Sequence, residues 1–142
     1  MVSPRGIAER YVDQVKLSLS GQRYLTEQQE RALLLEALDI GLSLNEAREL
    51  LAATAAKRGV AREITLDHDI GITIAAVAGE RGWISRTAFN RATGLYQHLS
   101  GGAVSAAEAK SRVKSMMLRR GWKVRGETIF GTPHWFRDIP SA

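Results

Sequence analysis

Three segments of this chain open with a Ser or Thr followed three residues later by Glu or Gln, and each is closed by a glycine. Thr26 with Gln29 starts a helix that runs through about Ile40 and stops at Gly41; Ser43 with Glu46 starts one that stops at Gly59; Ser105 with Glu108 starts one that stops at Gly121. The hydroxyl at each start accepts from an amide that has no partner inside the helix, and the glycine permits the left-handed turn that ends it. A chain punctuated in this way is committed to helix over much of its length, whatever its tertiary arrangement.

The apolar spacing agrees. Leu44, Ala47, Leu51 and Ala55 form one stripe, and Ala106, Ala109, Val113, Met116 and Met117 another. A helix from Pro4 to Leu19 is predicted from Pro at an early position and from Ile7, Tyr11, Val15 and Leu19 at i+4 steps. Ser85 caps a further helix over Arg86 to Leu99, with Phe89, Ala92, Tyr96 and Leu99 facing inward. The segment from Ile64 to Ala78 fits two periods. Ile64, Leu66, His68, Ile70, Ile72 and Ile74 alternate like a strand, whereas Leu66, Ile70, Ile74 and Val77 fit a helix. Helix is favoured, because Asp67 and Asp69 behind Thr65 complement the helix dipole and the run Ala75, Ala76, Val77, Ala78 prefers helix; Gly71 argues the other way.

After Gly121 the pattern changes to Trp122–Arg125, a turn bounded by Gly126, Gly131 and Pro133, and then His134–Ile139, which reads as a β-hairpin. Ile129 and Phe130 would sit at its tip, docking on the bundle or else contacting a partner. The expected fold is therefore mainly α, about six helices in a compact bundle with a C-terminal two-stranded β-hairpin whose Trp residues pack on the Ser105 helix. It is read as one domain over residues 1–142, with lobes at 1–59 and 60–139 and any seam at Gly59–Glu63. No internal repeat is evident.

With 142 residues, 44% of them hydrophobic, the chain can bury one core. The absence of cysteine excludes disulfides, thiolate metal sites and a Cys nucleophile. Met1 to Arg10 has no apolar stretch of signal-peptide length, and the run Ile72–Ala78 is too short to span a bilayer, so a soluble cytoplasmic protein with no membrane partner is expected. His68, His98 and His134 are dispersed. Asp67 and Asp69 cannot share an ion with His68 on one helix, since neighbouring residues point about 100 degrees apart. No phosphate loop, GxSxG elbow or defined carboxylate pair is present. Neither metal nor cofactor is expected, and the chain reads as a binding protein, not an enzyme.

The positive charge is concentrated. Lys110, Arg112, Lys114, Arg119, Arg120, Lys123 and Arg125 lie in one stretch with no acid among them, seven of the chain's 20 Lys and Arg, so the remaining 13 face 15 Asp and Glu. Lys110, Arg112, Lys114 and Arg119 are expected on the outward face of the Ser105 helix with Ser111 and Ser115 between them, and Lys123 and Arg125 on the hairpin face opposite Trp122 and Val124. Such a surface suits the phosphate backbone of a nucleic acid, with Ser111 or Ser115 near base edges, or else an acidic protein. The ordinary alternative is solvation, since bases in a last helical turn also stabilise it.

In element order and charge, Thr87 to Ile139 resembles the second half of a winged-helix DNA-binding domain, which implies a recognition helix from Ser105 and a wing made by the hairpin. The stretch LTEQQERALLLEALDIGLSLNEARELL, Leu25 to Leu51, resembles helical pairs of TerB-like domains, which implies an interaction bundle binding a helical or acidic partner; its Ile40–Ser43 turn equally suits a helix-turn-helix, although Glu46, Arg48 and Glu49 give the second helix a mixed face unsuited to reading DNA. Around GERGWISRTAF, Gly79 to Phe89, the chain looks like the latter part of an EF-hand loop. Val77, Gly79, Arg81 and Ala88 occupy the ligand places, so calcium is excluded there.

Overall fold

The computed structural model describes residues 4–126 and 131–141. In chain order the elements are α1 (Pro4–Ser18), β1 (Tyr24–Leu25), α2 (Glu27–Asp39), α3 (Leu44–Lys57), β2 (Ala61–Arg62), α4 (Glu63–Ala78), β3 (Trp83–Ile84), α5 (Arg86–Leu99), α6 (Ala106–Arg119), β4 (Lys123–Val124) and α7 (His134–Arg137). The protein is mainly helical, as its caps require. Thr26 and Gln29 make the full reciprocal capping box. The hydroxyls of Ser43, Ser85 and Ser105 each accept from the amide three residues on. Gly41, Gly59, Gly101 and Gly121 follow their helices at positive φ, where a side chain would be strained.

The ambiguous segment is α4, with Leu66, Ile70 and Ile74 buried on its inner side. Its start at Glu63 places Asp67 and Asp69 beyond the first turn, so they do not serve the dipole as expected. Asp67 instead accepts from the Tyr96 hydroxyl at 3.1 Å. Gly71 is explained by packing. The Arg120 guanidinium occupies the space that a Cβ at position 71 would fill.

The chain divides into two compact units, Met1–Ile64 and Thr65–Ala142. Each contains the order helix, short strand, helix, helix, short strand, and in each the two strands pair in parallel. Tyr24 and Leu25 stand opposite Ala61 and Arg62 in the first unit, and Trp83 and Ile84 opposite Lys123 and Val124 in the second. The buried positions match at constant spacing. Tyr11, Val15, Leu19, Leu25 and Ala37 correspond to Ile70, Ile74, Ala78, Ile84 and Tyr96; after a three-residue insertion at 101–103, Leu42, Ala47, Leu51 and Ala55 correspond to Val104, Ala109, Val113 and Met117. The chain is thus an internal structural repeat, contrary to the sequence reading. The copies share burial pattern and punctuation but few side chains, which is why the repeat is hard to see in the residues.

The hairpin is the main correction. Lys123–Val124 pairs with Trp83–Ile84, far back in the chain, and His134–Arg137 is a short helix. Neither forms an antiparallel partner for the other, so the wing that a winged helix needs is not made by these segments. Ile129 and Phe130 lie outside the described residues. The Trp residues do not gather on α6. Trp135 packs on Phe89 of α5 at 5.4 Å between ring centroids, and Trp122 lies under the Arg120 guanidinium at 5.0 Å. Leu99, Leu44 and Ala106, expected inside, are exposed.

Candidate nucleic-acid interface

The basic stretch begins in α6, and folding separates its members. Lys114 is drawn inward. It is 8% exposed, and its ammonium donates to the carbonyls of Phe136 (2.8 Å), Arg137 (3.1 Å) and Ile139 (2.6 Å), with the Phe136 ring 5.0 Å away. Three carbonyls at the end of α7 satisfy all three donors of the ammonium, which is how a lysine can be buried without a carboxylate. Lys114 therefore anchors the C-terminal segment and cannot reach a phosphate from this position.

Arg112 is also engaged. Its guanidinium pairs with Glu108 at 3.0 Å, one turn earlier, and its side chain is mostly covered. Ser111 donates back to the Ala107 carbonyl at 3.2 Å, a bond internal to the helix. Ser115 is half-buried and bonded within the fold. The α6 face expected to read bases thus spends its polar groups on the protein itself. Lys110 remains exposed near the start of α6, and Arg119 lies about 13 Å further along it.

The remaining cations gather at the other end. Arg119 and Arg120 finish α6, Gly121 turns the chain, and β4 carries Lys123 with Arg125 just beyond it. Strand pairing fixes β4 through the Lys123 amide donating to the Gly82 carbonyl and the Arg125 amide to the Ile84 carbonyl, both at 2.8 Å. Because side chains alternate, Val124 and Ile84 point into the core, at 0% and 1% exposed, while Trp83, Lys123 and Arg125 share the outward face. That orientation of Lys123 and Arg125, opposite Trp122 and Val124, is the one read from the sequence. The Lys123 ammonium sits 5.9 Å from the centroid of the half-buried Trp83 ring. Arg81, exposed, leads into β3.

The sequence reading missed Trp83 and Arg81, because the partner strand of β4 lies some forty residues upstream. It also passed over Glu108, although an acid four residues before Arg112 on a helix is a legible pair. Lys114 carried a weaker signal: it follows Val113 and precedes Met117 by three, at the border of the apolar stripe. Among the described residues no ion pair engages Lys110, Arg119, Arg120, Lys123 or Arg125, and no group of His, Asp and Glu is arranged to hold a metal. No described helix is long and apolar enough to cross a membrane. The chain matches no protein-family model, no curated protein and no solved structure, so the geometry of this surface is what a functional reading has to stand on.

Proposed function

We propose that the protein is a non-enzymatic nucleic-acid-binding module whose contact surface is the outward face of β3 and β4 together with the end of α6. The observation that carries the reading is the convergence of Arg119, Lys123 and Arg125 on one end of the second unit, exposed and without carboxylate partners among the described residues. Unpaired cations on a rigid backbone release counterions from a phosphate chain at little conformational cost. The contact set is thereby narrower than the sequence reading had it, with Lys110 peripheral and with Arg112, Lys114, Ser111 and Ser115 serving the fold. Engaging about three to five phosphates, the surface gives a plot of log affinity against log salt with a slope of about −2 to −4. Lys123→Glu with Arg125→Glu abolishes that dependence, whereas salt-insensitive binding, or none to DNA or RNA, removes the reading.

A second reading, an adaptor for a helical protein partner, is favoured by a groove of about 370 Å³ in the first unit, lined by the apolar Leu34, Leu35, Leu38, Leu44 and Ile64 together with Glu27, Arg31 and Arg48. The repeat has Thr93, Gly94, Gln97, Ala106 and Gly126 at the matching places, so the fold does not require apolar residues there. One stoichiometric protein retained from extract after nuclease treatment, and lost with Leu35→Glu, would support it.

A further inference from the structure

We infer that the nucleic acid this surface takes is single-stranded, with a base stacked on Trp83; the inference rests on the nucleic-acid reading above. Two observations point this way. The first argues against base reading in a duplex, leaving a duplex only the phosphate contacts that any strand offers. Reading a duplex needs an element that fills the major groove and offers free polar side chains to base edges. On α6 Lys114 is buried on the carbonyls of α7, Arg112 pairs with Glu108, and Ser111 bonds back to its own helix. The β3–β4 ribbon, two residues in each strand, is too short to fill that groove.

The second observation supplies a stacking platform. Trp83 shares the outward face with Lys123, directly opposite it in the strand register, and Arg125 follows two residues on. The strand pairing and the buried Ile84 fix the backbone from which the half-buried indole projects. In the free protein the Lys123 ammonium lies over that ring. An exposed cation–π contact is weaker than base–aromatic stacking, so a base displaces the ammonium, which then moves on its flexible stem to the adjoining phosphate. Ring and cation thereby serve one nucleotide together. The first unit provides an internal contrast. Tyr24 takes the place of Trp83, but Ala61 stands opposite it and Glu63 replaces Arg125, so that ribbon has an aromatic without the phosphate-binding partners.

The test compares binding of oligothymidylate of about 12 nucleotides with a duplex of matched length, at one salt concentration, for the full chain and three variants. Single strand is expected to bind at least about ten-fold more tightly than duplex. Trp83→Leu, which keeps an apolar body in the ribbon, should lose about ten-fold on single strand and leave duplex binding unchanged, while Trp83→Phe should restore most of the loss. Lys123→Gln should weaken both. Should Trp83→Leu fail to fold, a chain carrying Trp122→Phe and Trp135→Phe, with Trp83 as its one tryptophan, still gives an answer: its indole emission is quenched by oligothymidylate and not by duplex. Equal affinity for both forms, or wild-type affinity in Trp83→Leu beside a weakened Lys123→Gln, overturns the stacking inference and leaves the nucleic-acid reading intact. No binding of either form by the wild-type protein removes both.

Discussion

The two units run the same course of helices and parallel two-residue strands, yet they close their cores with opposite chemistry. In the first, Arg62 of β2 meets Glu30 of α2 through bonds of 2.6 and 3.0 Å, with Glu30 only 3% exposed. At the matching positions the second unit has Val124 and Phe89, both buried, and Phe89 leads into an aromatic cluster with Trp135 and Phe136 at 5.4 and 5.7 Å. Two members of that cluster, Trp135 and Phe136, belong to α7, and α7 is held by Lys114. One backbone thus tolerates either a bidentate ion pair or a greasy contact at its strand–helix junction. The difference teaches what is fixed: the burial pattern and the helix punctuation are common to both, and side-chain chemistry is free wherever geometry and partner satisfaction are kept.

The largest expected effect breaks the ion pair from one side. Arg62→Met leaves the Glu30 carboxylate buried without its partner and should cost about 3 kcal/mol in denaturant unfolding, whereas Glu30→Met with Arg62→Met should recover most of that loss, because an apolar pair does the same job in the second unit. A double variant as unstable as the single one would show that the units are not interchangeable at this junction. Next comes the tie of α7. Lys114→Met removes three charge-assisted bonds and should destabilise the second unit by about 2 kcal/mol and raise amide exchange around His134–Ile139.

Tyr11 gives the first unit a pH signature at a position that Ile70 takes in the second. Its hydroxyl donates to the Leu33 carbonyl at 2.9 Å, and burial, reinforced by the negative charges of Glu36 and Glu30, pushes its pKa from 10.0 up to about 12. The folded state then holds the proton more tightly than the unfolded chain. Stability from this group is complete below pH 10 and is lost as pH rises towards 12, by about 2–3 kcal/mol. Tyr11→Phe should cost about 1 kcal/mol at neutral pH and flatten that alkaline decline relative to wild type. The smallest effect is expected at Gly71. Gly71→Ala gains helix propensity of about 1 kcal/mol but displaces the Arg120 guanidinium, the movable end of a side chain, so the melting temperature should shift by only a few degrees.

Much of the fold was legible in local signals. The starts of α2, α3, α5 and α6 follow from Thr26, Ser43, Ser85 and Ser105, and their ends from the glycines behind them, because a cap is settled within four residues. Of the strands only β4 was legible, inside the strand read over Trp122–Arg125; β1, β2 and β3 were not. Two residues carry too little periodicity to mark a strand, and the partner of Lys123–Val124 lies on the far side of two helices. The candidate site divides along the same line. Lys123 and Arg125 were placed outward by simple alternation, whereas the removal of Lys114 depended on α7, whose residues looked like a strand.

The sequence by itself determined where α2, α3, α5 and α6 begin and end, that positive charge is concentrated between Lys110 and Arg125, and that cysteine chemistry is absent. Those properties depend on residue identity and on contacts within a turn or two. Only the tertiary structure decided that Lys114 turns inward onto α7, that Trp83 stands beside Lys123, that Glu30 finds Arg62, and that the chain repeats its own architecture. Each of these turns on a partner more than twenty residues away, and the choice among such partners is made by burial and by the need to satisfy every buried polar group, which no local pattern encodes.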